Sequence, residues 1–189
     1  MGRAERTRER LQETAVRLFA ERGFDGVTVA EIAEAAGVSH MTFFRHFPTK
    51  ESVVLDDPYD PAIGRAVAAT DPALPAVARV VEGFGRAWAA VEGEDERLAR
   101  LRMRIASESP SIWARVWQNT LRTERVVADA LVETGVDPFE ARVAAGAVLG
   151  GLMSALMDWG ASDVEEPLGD RVARALSVLE PAPASRPRT

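Results

Sequence analysis

The chain has 189 residues, no cysteine and a formal net charge of −6, which excludes disulfides and thiolate metal sites and argues against a protein that coats nucleic acid over its whole surface. It begins MGRAERTRER, charged rather than apolar, so no secretory signal is expected, and Arg6 stands where a myristoylation signal requires Ser or Thr. The longest uncharged apolar run, Val143 to Met157, is shorter than the ~18 residues of a membrane span, so a cytoplasmic protein with no membrane partner is expected.

Taken in order, Leu11, Ala15, Leu18 and Phe19 fall at i, i+4, i+7 and i+8, an amphipathic helix that Gly23 ends. The basic side chains ahead of it, Arg3, Arg6, Arg8 and Arg10, read as a solvated helix start balanced by Glu5, Glu9 and Glu13. Arg3 and Arg6 are the exceptions, with a phosphate or a minor groove as the alternative. Thr28 with Glu31 three positions later is a capping box, and Ile32, Ala33 and Ala36 form the apolar face of the short helix it opens. Gly37 supplies a left-handed stop and Val38 folds back onto that face. Ser39 caps a second short helix, whose Phe43 and Phe47 point into the same core. Pro48 stops it, and Thr49 opens another. Helix, glycine turn and short helix form a helix-turn-helix, whose second helix enters the DNA major groove. Phe24, Val27, Ile32, Val38, Phe43 and Phe47 complete a three-helix core with the first helix.

Beyond this head, KESVVLDD continues as helix until Pro58 and Pro61 interrupt it. Helices follow over 61–70 and 75–91, the second burying Val77, Val80, Val81, Phe84 and Trp88. A turn at 93–96 leads to a helix with Leu98, Leu101, Met103 and Ile105, and SESPS at 107–111 breaks it. A long helix from Ile112 to Val132 carries Trp113, Trp117, Leu121 and Val127. GVDP at 135–138 ends it, and Pro138 suits the first turn of the next helix, which runs to Trp159. Leu168 to Leu179 is the last helix, with Leu168, Val172, Ala175, Leu176 and Leu179 at helical spacing. PAPASRPRT at 181–189 has little to pack and is expected to be a disordered tail. No strand pattern or internal repeat appears, so the chain reads as all-α.

The run ERGFDGVTVAEIAEAAGVS followed by TFFRHFPTKE resembles the DNA-binding domain of the TetR family of bacterial repressors over roughly the first quarter of the chain. The resemblance implies a helix-turn-helix DNA-binding domain over 1–50 and a helical effector-binding and dimerisation domain over 51–180. By resemblance, His40, Met41 and Phe44 occupy positions that touch base edges, in the N-terminal turn opened by Ser39. Thr28, Thr42, His46 and Lys50 occupy positions that hold phosphates. Arg45 has three alternatives: guanine, phosphate or solvent. Two departures stand out. Family members usually carry tyrosine where this chain has Phe44, which leaves an apolar face suited to a thymine methyl. They usually join head to body by one long helix, which the prolines here interrupt.

Phe84, Trp88, Met103, Trp113 and Trp117 are large enough to line a ligand cavity and equally suited to an ordinary core. The resemblance, in which the body binds a small effector, tips them toward a pocket. Arg102, Arg104, Glu108 and Arg115 flank them as surface charges or as partners for an anionic ligand such as an acyl thioester. Gly146, Gly150 and Ser154 recur every four residues, a flat strip on which another helix can approach closely. With Leu176 of the last helix they are the expected homodimer interface, the place the resemblance gives to the last two helices.

Residues 1–50 carry eight Lys/Arg and seven Asp/Glu, net +1, against 15 and 22, net −7, in the remainder. That distribution favours a small oriented contact with operator DNA. Lys50 is the only lysine, and His40 and His46 the only histidines, six positions apart and off any shared helix face, so no metal and no cofactor is expected. An enzyme is disfavoured, because no glycine-rich phosphate loop and no Ser/His/Asp pattern is present. The expectation is a dimeric DNA-binding regulator, a repressor, released by a small, mostly hydrophobic effector. The alternative is a regulator with no effector, whose body serves only dimerisation or partner binding.

Overall fold

A computed structural model describes residues 2–55, 60–89 and 96–180, with the side chains of Asp60 and Pro61 outside the description. The helices are α1 (Arg3–Arg22), α2 (Val29–Ala35), α3 (His40–His46), α4 (Ser52–Leu55), α5 (Asp60–Ala68), α6 (Ala76–Ala89), α7 (Glu96–Glu108), α8 (Pro110–Glu133), α9 (Pro138–Ala161) and α10 (Leu168–Leu179). No strand occurs among the described residues, so the all-α expectation holds. Three expected features fall wholly or partly outside the description: the proline interruption near 58, the turn at 93–95 and the tail at 181–189.

The chain divides into two compact units. The first contains Met1–Asp57, Gly93–Asn119 and Met157–Glu165. Here α1 packs against α2, α4 and α7, and α2 against α3. Leu11, Ala15, Phe19, Ile32, Ala33, Phe43 and Phe47 are all buried, as the helical spacing requires. Gly23 ends α1 at φ 76°. At the next corner Gly37 takes φ 64°, its amide donating to Glu34 O and that of Val38 to Ala33 O, the paired bonds of a glycine-ended helix. Thr49 and Ser52 cap α4 reciprocally, each amide donating to the other's hydroxyl at 3.2 Å. The head expected to end at residue 50 is therefore part of a larger unit, which takes in α7 and the ends of α8 and α9.

Arginines of α7 do much of this joining. Arg102 Nε donates to Val54 O of α4 at 2.7 Å. Arg100 reaches the carbonyls of Trp159, Ser162 and Val164 at the end of α9, while lying 4.3 Å over the Trp159 ring. A cation at a helix C-terminus complements its dipole and its unpaired carbonyls. Arg104 adds Gly160 O and Asp163.

The second unit contains Pro58–Glu92, Thr120–Leu156 and Glu166–Thr189. Its α5 and α6 meet where Gly83 lies against Val67, so closely that a Cβ would stand 2.8 Å from the Val67 Cα. Arg79, 1% exposed, donates to the hydroxyls of Thr70 at 3.0 Å and Thr134 at 2.7 Å. Those threonines in turn donate to carbonyls at the ends of α5 and α8. Two negative helix ends thus compensate a buried guanidinium. α10 packs on α6.

Candidate nucleic-acid interface

α2 and α3 form the helix-turn-helix, and hydrogen bonds fix the start of each. The Thr28 hydroxyl accepts from the Glu31 amide at 3.3 Å, and the Glu31 carboxylate accepts from the Thr28 amide at 2.8 Å. Arg22 at the end of α1 closes the arrangement, meeting Glu31 at 2.6 Å and Gly26 O at 2.9 Å. The backbone amide of Thr28, then Arg22 and the Thr28 hydroxyl, hold the Glu31 carboxyl down to about 2 from an ordinary 4.5. Ser39 caps α3, accepting from the Thr42 amide at 3.1 Å, with the two hydroxyls 2.9 Å apart.

With Phe43 and Phe47 fully buried, α3 has one outward face. On it Met41 is 77% exposed and Phe44 41%. His40 and Arg45 are exposed beside them, the His40 ring edge-on to Phe44 at 4.8 Å. The expected base-facing residues are therefore together on a short helix whose inner face is anchored. Half-buried Thr42 and His46 flank them.

Lys50, expected to hold a phosphate, is also engaged within the head. Its ammonium donates to Phe24 O and Val27 O, both at 2.8 Å, and sits 4.1 Å from the Phe24 ring centre. Two of its three protons thus hold the loop between α1 and α2. The Thr28 hydroxyl is likewise engaged, donating to Glu31 at 2.7 Å.

Sequence reasoning also misplaced Arg8, read as part of a solvated helix start. Its guanidinium donates to His46 O at 3.1 Å and lies 4.4 Å over the Phe47 ring, tying α1 to the end of α3. Burial, and then the nearby Arg102 charge, lower its pKa below the ordinary guanidinium value. Arg3, Arg6 and Arg10 lie with Arg45 and His46 along a groove of about 790 Å³ between α1 and α3. Their spacing, i, i+3 and i+7, was the signal that all three share a helix face.

The expected ligand residues fall in different units: Phe84 and Trp88 in the second, Met103, Trp113 and Trp117 in the first. Trp88 lies beside Gly169, and Met103 packs where α7 crosses Gly160. Trp113 and Trp117 meet edge to face at 6.4 Å and are 39% and 47% exposed. Arg102 and Arg104, candidates for an anionic ligand, are committed to Val54, Gly160 and Asp163.

Of the expected dimer residues, Gly150 faces open space and Ser154 is exposed, its hydroxyl donating to Gly150 O at 2.9 Å. Gly146 faces the Glu124 carboxylate. Leu176 is corrected: it is 7% exposed and turned toward Gly85 of α6, so it belongs to the core of its own chain. The outward apolar residue of α10 is Val178, 79% exposed.

Comparison with known proteins agrees with this architecture. The family model described as bacterial regulatory proteins, tetR family, matches residues 11–56, and one described as MftR C-terminal domain matches 71–183. The HTH-type transcriptional regulator TcmR of Streptomyces glaucescens is 33% identical over 70% of the chain, a match spanning 62% of TcmR. The HTH-type transcriptional repressor AcnR of Corynebacterium diphtheriae is 32% identical over 67% of the chain and 62% of its own length. Among solved structures, the TetR-family repressor FadR of Thermus thermophilus, in complex with lauroyl-CoA, is 25% identical with a TM-score of 0.52, covering 95% of this chain and 99% of FadR. With family models matching both its head and most of the remainder, the chain belongs to the TetR family of helix-turn-helix transcriptional regulators.

Proposed function

We propose that this regulator is a homodimeric repressor that holds operator DNA through α3 and releases it when a small, mostly apolar effector occupies its body. The carrying observation is the α3 face, where exposed His40, Met41 and Phe44 stand on a helix anchored by two buried phenylalanines. A rigid helix presenting a thioether, an imidazole and an aromatic edge suits base edges and thymine methyls in a major groove. A regulator of this kind acts in the cytoplasm, where its operator is.

The name of AcnR, a repressor, and the lauroyl-CoA bound to FadR supply the repressor and effector parts. Two heads about one DNA turn (~34 Å) apart engage successive major grooves. An effector that fits only when the heads are misplaced releases DNA by its differential affinity. Dimerisation is assigned to the outward face of α9, where Phe139 and Val143 are 71% and 53% exposed and Gly150 is open, continued by Val178 of α10.

A second reading, a regulator with no effector, is favoured by one observation: α7 crosses α9 with the Met103 Cβ and backbone pressed against Gly160, which leaves no gap between the helices at that point. The test is fluorescence anisotropy with duplexes selected from a random pool, titrated with lauroyl-CoA and with shorter acyl and aromatic compounds. Release by any of them supports the repressor with an effector. Tight selected binding that none of them alters leaves the effector-free reading. The absence of selected binding overturns both.

A further inference from the structure

We propose that the groove between α1 and α3 seats a DNA sugar–phosphate strand, and that His46 takes up a proton there as the strand docks. This rests on the DNA-binding reading above and extends it to a surface outside the base-facing helix.

The groove is lined from one side by Arg3, Arg6 and Arg10 of α1 and from the other by Arg45 and His46 of α3. Among the described residues, no carboxylate lines it. Among the described residues, the guanidinium groups of Arg3, Arg10 and Arg45 have no hydrogen-bond or ion-pair partner, although this chain has more acidic than basic side chains overall. Four guanidinium groups along one channel that no carboxylate lines, in an acidic protein, suit an extended polyanion rather than a single small anion. A nucleic-acid backbone, with a charge on every phosphate, has that shape. A duplex engaged by the adjacent α3 brings such a strand to the channel.

Among the described residues of the channel, His46 is the one whose charge changes near neutrality. Partial burial, then the charges of Arg45 on its own helix and Arg8 of α1, lower its pKa from 6.5. The groups facing it are all basic: Arg45 beside it, Arg8 on its carbonyl, and Arg3, Arg6 and Arg10 across the groove, with Arg102 of α7 behind Arg8. The free head therefore disfavours the charged form of His46. A phosphate in the channel reverses the local field and favours the imidazolium. Binding then consumes a proton, so affinity rises as pH falls from neutrality toward the free-head pKa, which lies below 6.5.

The test is anisotropy with a mixed-sequence duplex, measured against salt and against pH for the full chain. Arg3→Ala/Arg6→Ala/Arg10→Ala should retain the helical spectrum of the parent. It should flatten the dependence of log affinity on log salt by about one unit for each phosphate the variant no longer neutralises. His46→Gln should match the parent at alkaline pH and lose the gain below neutrality, while His40→Gln keeps that gain. An unchanged salt slope in the triple variant, or an unchanged pH dependence in His46→Gln, overturns the inference while leaving DNA binding through α3 intact. A parent that binds no duplex at low salt overturns the DNA-binding reading itself, and this inference with it.

Discussion

Lys50 holds its ammonium 2.8 Å from the carbonyl oxygen of Phe24 and 4.1 Å from the centre of that residue's ring. Val27 O, also at 2.8 Å, completes the grip. The only lysine of the chain thus fixes the loop that joins α1 to the helix-turn-helix. A compact ammonium suits two converging carbonyls and a ring face better than a planar guanidinium does. Lys50→Met should lower stability to urea by roughly 1–3 kcal/mol, the range for hydrogen bonds from a charged donor. Unchanged stability with weakened DNA affinity would restore Lys50 to a simple phosphate-binding role.

Glu31 gives an acid-stability prediction with a definite sign. Its carboxyl lies at about 2 in the folded head against an ordinary 4.5. The unfolded chain therefore binds the proton first as pH falls, and the capping contribution, complete above 4.5, is lost on the way down toward about 2. A carboxyl titration followed by NMR should place Glu31 near the lower value. A midpoint at 4.5 would mean the box with Thr28 and Arg22 does not persist in solution.

The glycines of the second unit should respond unequally to alanine. At Gly83 the new Cβ would lie 2.8 and 2.9 Å from the Cα and amide nitrogen of Val67, backbone atoms that cannot rotate away. At Gly64 the close approach is to a side-chain atom, the Val126 Cγ1, also at 2.8 Å, which can yield only by a small tilt because valine is held to one rotamer in a helix. Helix propensity favours alanine by about 1 kcal/mol at both, whereas overpacking costs about 1–3 kcal/mol. Gly83→Ala should be clearly destabilised in thermal melts, and Gly64→Ala destabilised less. The reverse order would mean α5 and α6 do not cross at Gly83.

Gly150 tests the dimer surface in a complementary way. Apart from its own helix backbone, no described residue lies within 4 Å of a Cβ built there. Gly150→Leu therefore leaves the protomer folded and obstructs only an approaching partner helix. Sedimentation should show a shift from dimer to monomer at unchanged helicity. A variant that sediments as the parent does would place the interface off this face of α9.

These cases mark what could be read from residues alone. The head was legible because its signals are local: a capping box at Thr28 and Glu31, a glycine stop at Gly37, and aromatics four apart at Phe43 and Phe47. Helical spacing also located Leu11, Ala15 and Phe19 of the buried face of α1, but it missed Thr14 and Val16 and overstated Leu18, which is half-buried. The roles of long cationic side chains were not legible. Lys50 reaches residues more than twenty positions away, Arg8 reaches His46, and Arg102 reaches Val54. No periodicity encodes which carbonyl a flexible side chain will find. Leu176 failed for a related reason: helical spacing separates an apolar face from a polar one, but not a face turned inward on α6 from one left for a partner. The boundary at residue 50 followed the motif, whereas the packing that joins α7 to α1 and α4 is long-range.

Whether the outward face of α3 reads operator sequence is decided by selecting preferred duplexes from a random pool with the parent and with His40→Ala and Met41→Ala. Each variant should still bind DNA but lose discrimination, by ~1–3 kcal/mol for a well-made base contact, at its own symmetry-related positions in the selected site. Identical selected motifs for the parent and both variants would mean that this face of α3 does not read the bases.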